Sequence, residues 1–203
     1  MNKILLSLTG LALMIWLWSE YFRAIPHLQQ SGVLKNFALE TEGDFFGQYQ
    51  VVAKRYYSPD RRVIHPAAPV VGHFNDLAYV SNIDLLLAKD VFSSSEQAQT
   101  VDFEQTQRCY QFQVASTSPL AAQQVIANTL NISAIAASEQ IAQRLRRVKA
   151  GQRIVLRGEW VKVRSVSTGQ YFQINHYPLP ANNCRIVRVQ QHELLGAKAT
   201  EFP

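Results

Sequence analysis

Residues 153–164 read RIVLRGEWVKVR, and this stretch decides the fold. Ile154 and Leu156 share one phase of a two-residue alternation, and Val161 and Val163 share the opposite phase. Gly158 stands between the two pairs. An extra residue at a glycine shifts the alternation by one and bends the strand. The pattern therefore predicts one long strand with a β-bulge at its centre, which is how small barrels turn their corners.

The flanking segments extend that reading. Before the strand, SEQIAQRLRRVKAG at 138–151 puts Ile141, Leu145 and Val148 on one helical face. Ser138 is placed to cap this helix and Gly151 to end it. After the strand, Gly169 marks a turn, Tyr171–Asn175 is expected to pair back, and Pro178 and Pro180 punctuate a loop. The last strand is CRIVRVQ, 184–190, followed by a C-terminal tail over 193–203.

Upstream, QYQVVAKRYY at 48–57 alternates and is rich in β-branched and aromatic residues, so it reads as the first strand. Ser58-Pro59-Asp60 breaks it, and the proline-bearing stretch 61–75 reads as loop. Asn82 is expected to cap a short helix running to Ala88. QRCYQFQVAS at 107–116 alternates as a half-buried strand. Ser118 and Pro119 should open a helix to about Leu130, and Ile132–Ala136 is a short apolar strand. The fold class is thus α+β. One domain (48–192) holds a curled mixed sheet or small β-barrel, OB- or SH3-like in its second half, with two or three short helices. A juxtamembrane connector over 24–47, with an acidic patch at Glu40, Glu42 and Asp44, precedes it.

The first 23 residues read as a transmembrane anchor. ILLSLTGLALMIWLWS, Ile4–Ser19, carries no charge. Its length as a helix is about 24 Å against a bilayer core of about 30 Å. Trp16, Trp18 and Tyr21 gather at its distal end, where aromatic rings meet a membrane interface. A cleaved signal peptide and a buried core helix are the alternatives. Large residues stand where a signal peptidase needs small ones: Leu17 before a cut at Ser19, Phe22 before one at Ala24. The bilayer is therefore the first expected partner, through residues 4–22. The expected location is a single pass of a bacterial inner membrane with the domain on the periplasmic side.

Charge is uneven along the 203 residues, which carry +5 in total. Residues 1–137 hold nine basic and eleven acidic side chains, net −2; residues 138–203 hold eleven and four, net +7. The candidate binding residues for an anionic partner are Arg144, Arg147, Arg153, Arg157, Lys162 and Arg164, with Arg185 and Arg188 beside them. Trp160, Tyr171 and Phe172 are interleaved, a mixture that also suits nucleic acid on a small barrel. The competing reading is a solvated basic face around core aromatics. Cys109 and Cys184 have no neighbour at metal-ligand spacing; they form one disulfide in an exported domain or remain two buried thiols. No metal and no other cofactor is expected.

Catalytic patterns are sparse. No nucleophile-elbow motif and no glycine-rich phosphate loop occurs. Asp84 and Asp90 are six residues apart and do not share a helical face. His65 and His73 flank the proline-rich loop with Asp76 nearby, the one set that admits a hydrolase.

The pieces QYQVVAKRYYS, NIDLLLAKD, QRCYQF, ISAIAAS, LRRVKAGQRIVLRGEWVKV and CRIVRV, in this order and spacing, resemble a family of membrane-anchored bacterial proteins without an assigned activity. The resemblance implies the anchored architecture. It carries over no catalytic residue. Cys109 stands where that family has an aromatic, and the stretch QINHYPLPANN before Cys184 also departs from it. The expected function is therefore a membrane-anchored, non-enzymatic binding or accessory protein that presents a basic domain to a protein partner at the bilayer surface. The alternatives are a tethered hydrolase using His65, His73 and Asp76, or a nucleic-acid-binding barrel on the cytoplasmic side.

Overall fold

The computed structural model describes residues 2–21, 25–30, 33–57, 77–89, 92, 99–174, 179–180 and 183–195. Helix α1 spans Asn2–Tyr21. A one-turn helix α2, Val33–Asn36, leads into strand β1, Phe37–Tyr56. A short 3-10 turn at Leu77–Tyr79 precedes β2, Ile83–Lys89. Strands β3 (Val101–Thr106) and β4 (Cys109–Val114) form a hairpin. Then follow α3 (Ala122–Asn128), β5 (Thr129–Ala136), α4 (Glu139–Arg147), β6 (Arg153–Ser165) and β7 (Cys184–Leu195). The chain is α+β with a mixed, curled sheet.

Five strands close into a barrel in the order β1-β2-β5-β7-β6. All pairs are antiparallel except β5 with β7. Closure depends on β1, whose first part pairs with β6 from Phe37 to Gln50 and whose last part pairs with β2 from Tyr49 to Tyr56. The bulge expected at Gly158 is present: the β6–β7 register shifts between Arg157 and Gly158. A Cβ at Gly158 would collide with the backbone carbonyl of Arg188, so the crossing strand fixes this residue as glycine. Ile154 and Leu156 before the bulge, with Phe45, Val51, Leu85, Leu87, Ile132 and Val187, fill the barrel core. Val161 and Val163 beyond it join a second cluster with Phe37 and Ile186.

Helix α4 plugs one end of the barrel. Ser138 Oγ accepts from the Ile141 amide at 3.3 Å, as its position predicts. Ile141, Ala142, Leu145 and Val148 pack into the barrel core. The C-terminal carbonyls of this helix are satisfied from β1: the Lys54 ammonium donates to Arg146 O and Val148 O, and the Tyr56 hydroxyl to Arg146 O. Gly151 takes a left-handed φ of 83° in the turn that follows.

Four expectations need correction. The segment 37–47 belongs to β1 and not to a connector; its glutamates are the solvent side of a strand whose other side buries Phe37 and Phe45. The helix expected from Asn82 is instead β2, Ile83–Lys89, because both faces of 83–88 are buried and alternation is lost. The helix expected from Pro119 begins at Ala122, with the Gln124 side chain accepting from the Ala121 amide at 3.0 Å, and it ends before Leu130, which lies in β5. Among the described residues after Gly169, the pairing back is a bridge between Arg164 and Tyr171, with the Phe172 amide donating to Val163 O at 2.9 Å.

Helix α1 has apolar residues all round. Every side chain from Leu5 to Trp16 is exposed, Leu6 at 79% and Met14 at 64%. Among the described residues no helix is long and apolar enough to cross a membrane. The side chains of Trp18 and Tyr21 are outside those described.

Candidate functional site

The outer face of β2 and β5 is lined by Asp84, Leu86 and Ala88 and by Thr129, Asn131 and Ser133. Every one of these is buried. The hairpin β3–β4 and helix α3 lie over this face. Leu86 packs with Cys109 and Tyr110, and Ala88 with Val101 and Val125. A disulfide joins Cys109 of β4 to Cys184 of β7, with Cα atoms 5.2 Å apart, so the open choice between a bond and two thiols resolves as the bond. Asn183, next in the chain, donates to the Tyr110 hydroxyl at 3.1 Å and to Thr129 O at 2.7 Å. Tyr110 and Thr129 also share a 2.7 Å hydroxyl contact.

A second set of polar contacts fixes the hairpin tip. Gln107 and Arg108 form the two-residue turn with φ of 46° and 69°. Two-residue hairpin turns of this hand favour Asn-Gly, and a long side chain there is strained by about 1–2 kcal/mol. Arg108 Nη1 reaches Asp84 Oδ1 at 3.1 Å, and its guanidinium stacks 3.7 Å from the Tyr57 ring centroid. Asn131 donates to Asp84 Oδ2 at 3.2 Å and accepts from Gln105 Nε2 at 2.7 Å. Burial pushes the Asp84 carboxyl above its ordinary range, against the pull of the Arg108 charge. Burial likewise raises the Tyr57 and Tyr110 hydroxyls.

The predicted basic surface divides at the Gly158 bulge. Beyond it, Lys162 pairs with Glu42 at 2.7 Å, and Arg185 shares the same carboxylate at 2.8 Å. Arg164 lies 3.6 Å from Glu40, and Arg188 3.4 Å from Glu159. The two hydrogen bonds from Lys162 and Arg185 hold Glu42 below its usual value. This half is a ladder of ion pairs across β1, β6 and β7. The interleaved aromatics serve it and the core. Trp160 packs edge-on to Phe45 at 4.6 Å under the Arg185 guanidinium, Phe172 packs on Phe37, and the Tyr171 hydroxyl donates to Glu40 at 2.7 Å. Among the described residues, Trp160, Tyr171 and Phe172 therefore make no exposed row suited to stacking bases.

Before the bulge the residues are arranged differently. Arg157 stands five residues from Lys162, about 16 Å along the strand. Its guanidinium lies 5.2 Å over the ring of Phe46, which is 60% exposed. These two residues, with Gln48, Gln191, Glu193 and Leu195, line an open groove of about 330 Å³. A neighbouring groove of about 440 Å³ is lined by Arg144, Arg147, His192, Glu193 and Leu194. Arg144 Nη1 donates to His192 O at 3.1 Å. The His192 imidazole is held below its ordinary value by burial and by the Arg144 charge. Arg153 pairs in register with Leu195 at the same end of the sheet. Of the six basic candidates, Arg144, Arg147, Arg153 and Arg157 thus gather around the end of β7, and Lys162 and Arg164 do not join them.

Sequence reasoning missed Phe46 and the Arg108–Asp84 pair. The alternation of Phe45, Gly47, Tyr49 and Val51 with Asp44, Phe46 and Gln48 is the signal that puts Phe46 on the solvent side. His65, His73 and Asp76 lie outside the described residues, and so does the hydrolase they would form. No group of three or more metal-ligating side chains occurs among the described residues.

These features define a class: an α+β domain built on a closed five-stranded barrel, preceded by an exposed apolar helix. No family model, no curated protein and no solved structure matches the chain.

Proposed function

We propose that this protein is a membrane-attached, non-enzymatic binding domain that presents the basic end of an OB-type barrel to an anionic partner at the bilayer surface. Helix α1 is the observation that carries the reading. Its side chains from Leu5 to Trp16 are all exposed, among them Leu6, Met14 and Trp16. Exposed leucine, methionine and tryptophan at this density need an apolar phase to enter. A bilayer supplies it, with α1 inserted as an anchor and Trp16 toward the interface. The disulfide supports an oxidising compartment, hence a domain outside the cytoplasmic membrane.

The strand order β1-β2-β5-β7-β6, with α4 between its third and fourth barrel strands, supports the OB assignment. Barrels of that class bind oligonucleotides or oligosaccharides on the face of their second and third strands. Here that face belongs to β2 and β5 and is covered by the β3–β4 hairpin. Binding is therefore assigned to the uncovered surface around Arg144, Arg147, Arg157 and Phe46.

A photo-crosslinking residue at Gln191, in full-length protein in its own membranes, tests this. A discrete adduct is expected. Reversing Arg144, Arg147 and Arg157 to Glu together should abolish it without lowering the melting midpoint. No adduct, or one indifferent to the reversal, would contradict the proposal.

A further inference from the structure

The geometry points to a docking surface for anionic phospholipid headgroups on the solvent face of α4, a refinement that rests on the membrane attachment proposed above. The course of the chain is the first observation. His27 bridges to Ala136 at the end of β5, and the Leu28 amide donates to Ala136 O at 3.0 Å. Ile25 packs against the same core cluster that holds Ile141, Ala142 and Leu145 of α4. The entering chain thus lies alongside α4, at the end of the barrel that this helix plugs. Three residues separate Tyr21 from Ile25, so the end of α1 is within about 15 Å of Ile25. An inserted α1 necessarily brings the α4 end of the domain to the headgroups.

The second observation is the character of that end. With Ile141, Ala142, Leu145 and Val148 turned into the barrel, α4 exposes Gln140, Gln143, Arg144 and Arg147, and Lys149 follows in the exposed turn. Glu139 and Glu193 are the acidic groups nearby. At the opposite end, Lys162, Arg164, Arg185 and Arg188 are tied up by Glu40, Glu42 and Glu159. Among these described basic residues, Arg144, Arg147 and Lys149 are the ones not held by a carboxylate, and they stand on the side where the anchor enters. Leu194, 56% exposed beside Arg144 and Arg147, adds an apolar contact at the depth of the headgroup–acyl boundary. Docking in this orientation holds the barrel upright and leaves the Phe46–Arg157 groove on the side wall for a partner.

The test uses the full chain in nanodiscs of phosphatidylcholine alone or with phosphatidylglycerol, read by hydrogen exchange at the amides of 139–151. Exchange should slow about tenfold on the anionic discs, since each Arg or Lys near an anionic surface contributes measurably. High salt should erase the difference. Arg147→Glu with Lys149→Glu should also erase it, and Arg144→Gln with Arg147→Gln provides a milder second variant. Equal exchange on both discs overturns the docking surface while leaving the anchor intact. Equal slowing by inorganic phosphate on neutral discs also overturns it, because a free-anion site would explain the effect. Failure to insert into either disc overturns the attachment on which it rests.

Discussion

Arg108 Nη1 lies 3.1 Å from Asp84 Oδ1, joining the tip of the β3–β4 hairpin to the outer face of β2. Asp84 is fully buried and Arg108 nearly so. Removing one partner of such a pair leaves a buried charge without compensation, at a cost of about 3–5 kcal/mol. Asp84→Ala and Arg108→Ala should each destabilise the domain by this order in chemical denaturation. The double variant should cost clearly less than the two together, because no orphaned charge remains. Strict additivity would show that the pair does not hold the hairpin down.

The Cys109–Cys184 bond closes a loop of 75 residues. Loop-closure entropy assigns such a bond about 4 kcal/mol. Cys109→Ser with Cys184→Ser should lower stability by about 2–5 kcal/mol, and reductant should lower the wild-type melting midpoint toward that of the variant. A midpoint indifferent to reductant would contradict the bond.

Gly158 has no room for a Cβ beneath the Arg188 carbonyl. Gly158→Ala should therefore force β6 from β7 and cost about 2–3 kcal/mol. Gly10, on the exposed helix, has open space around it and should accept alanine without loss of domain stability. Equal behaviour of the two variants would contradict the tight crossing.

Among the described groups, His192 gives a pH dependence of clear sign. Its folded value is lowered by burial and by Arg144, with Glu193 pulling the other way, and its Nε2 is buried without a hydrogen-bond partner among the described residues. The unfolded chain then binds the proton more readily than the folded one. Stability from this group is present above about pH 6.5 and is lost as pH falls below it. A His192→Gln variant should show a flatter stability profile between pH 7 and pH 5 than the wild type.

Much of the barrel was legible because it follows local rules. The phase reversal around Gly158, the Ser138 cap and the alternation in 48–57 each depend on neighbouring residues alone. What escaped depends on the whole sheet. The run 83–88 lost its alternation because the core lies on one side of β2 and the hairpin on the other. The glutamates of 40–44 resembled a polar connector because their partners, Lys162, Arg164 and Arg185, are more than a hundred residues away. The hairpin turn at Gln107-Arg108 lacks glycine and asparagine, so it carries no turn signal; arginine is held there by its contacts with Asp84, Tyr57 and Asn131. The ion pairs of Lys162, Arg164, Arg185 and Arg188 were hidden for the same reason: partners across strands are invisible to composition.

Membrane attachment through α1 is the central claim, and fractionation of cells expressing the full chain tests it most directly. The protein should remain with the membranes after alkaline carbonate extraction. Leu8→Asp with Leu11→Asp and Ile15→Asp should release it as a folded soluble domain, with the disulfide and melting midpoint unchanged. Recovery of the unaltered chain in the soluble fraction would contradict the account.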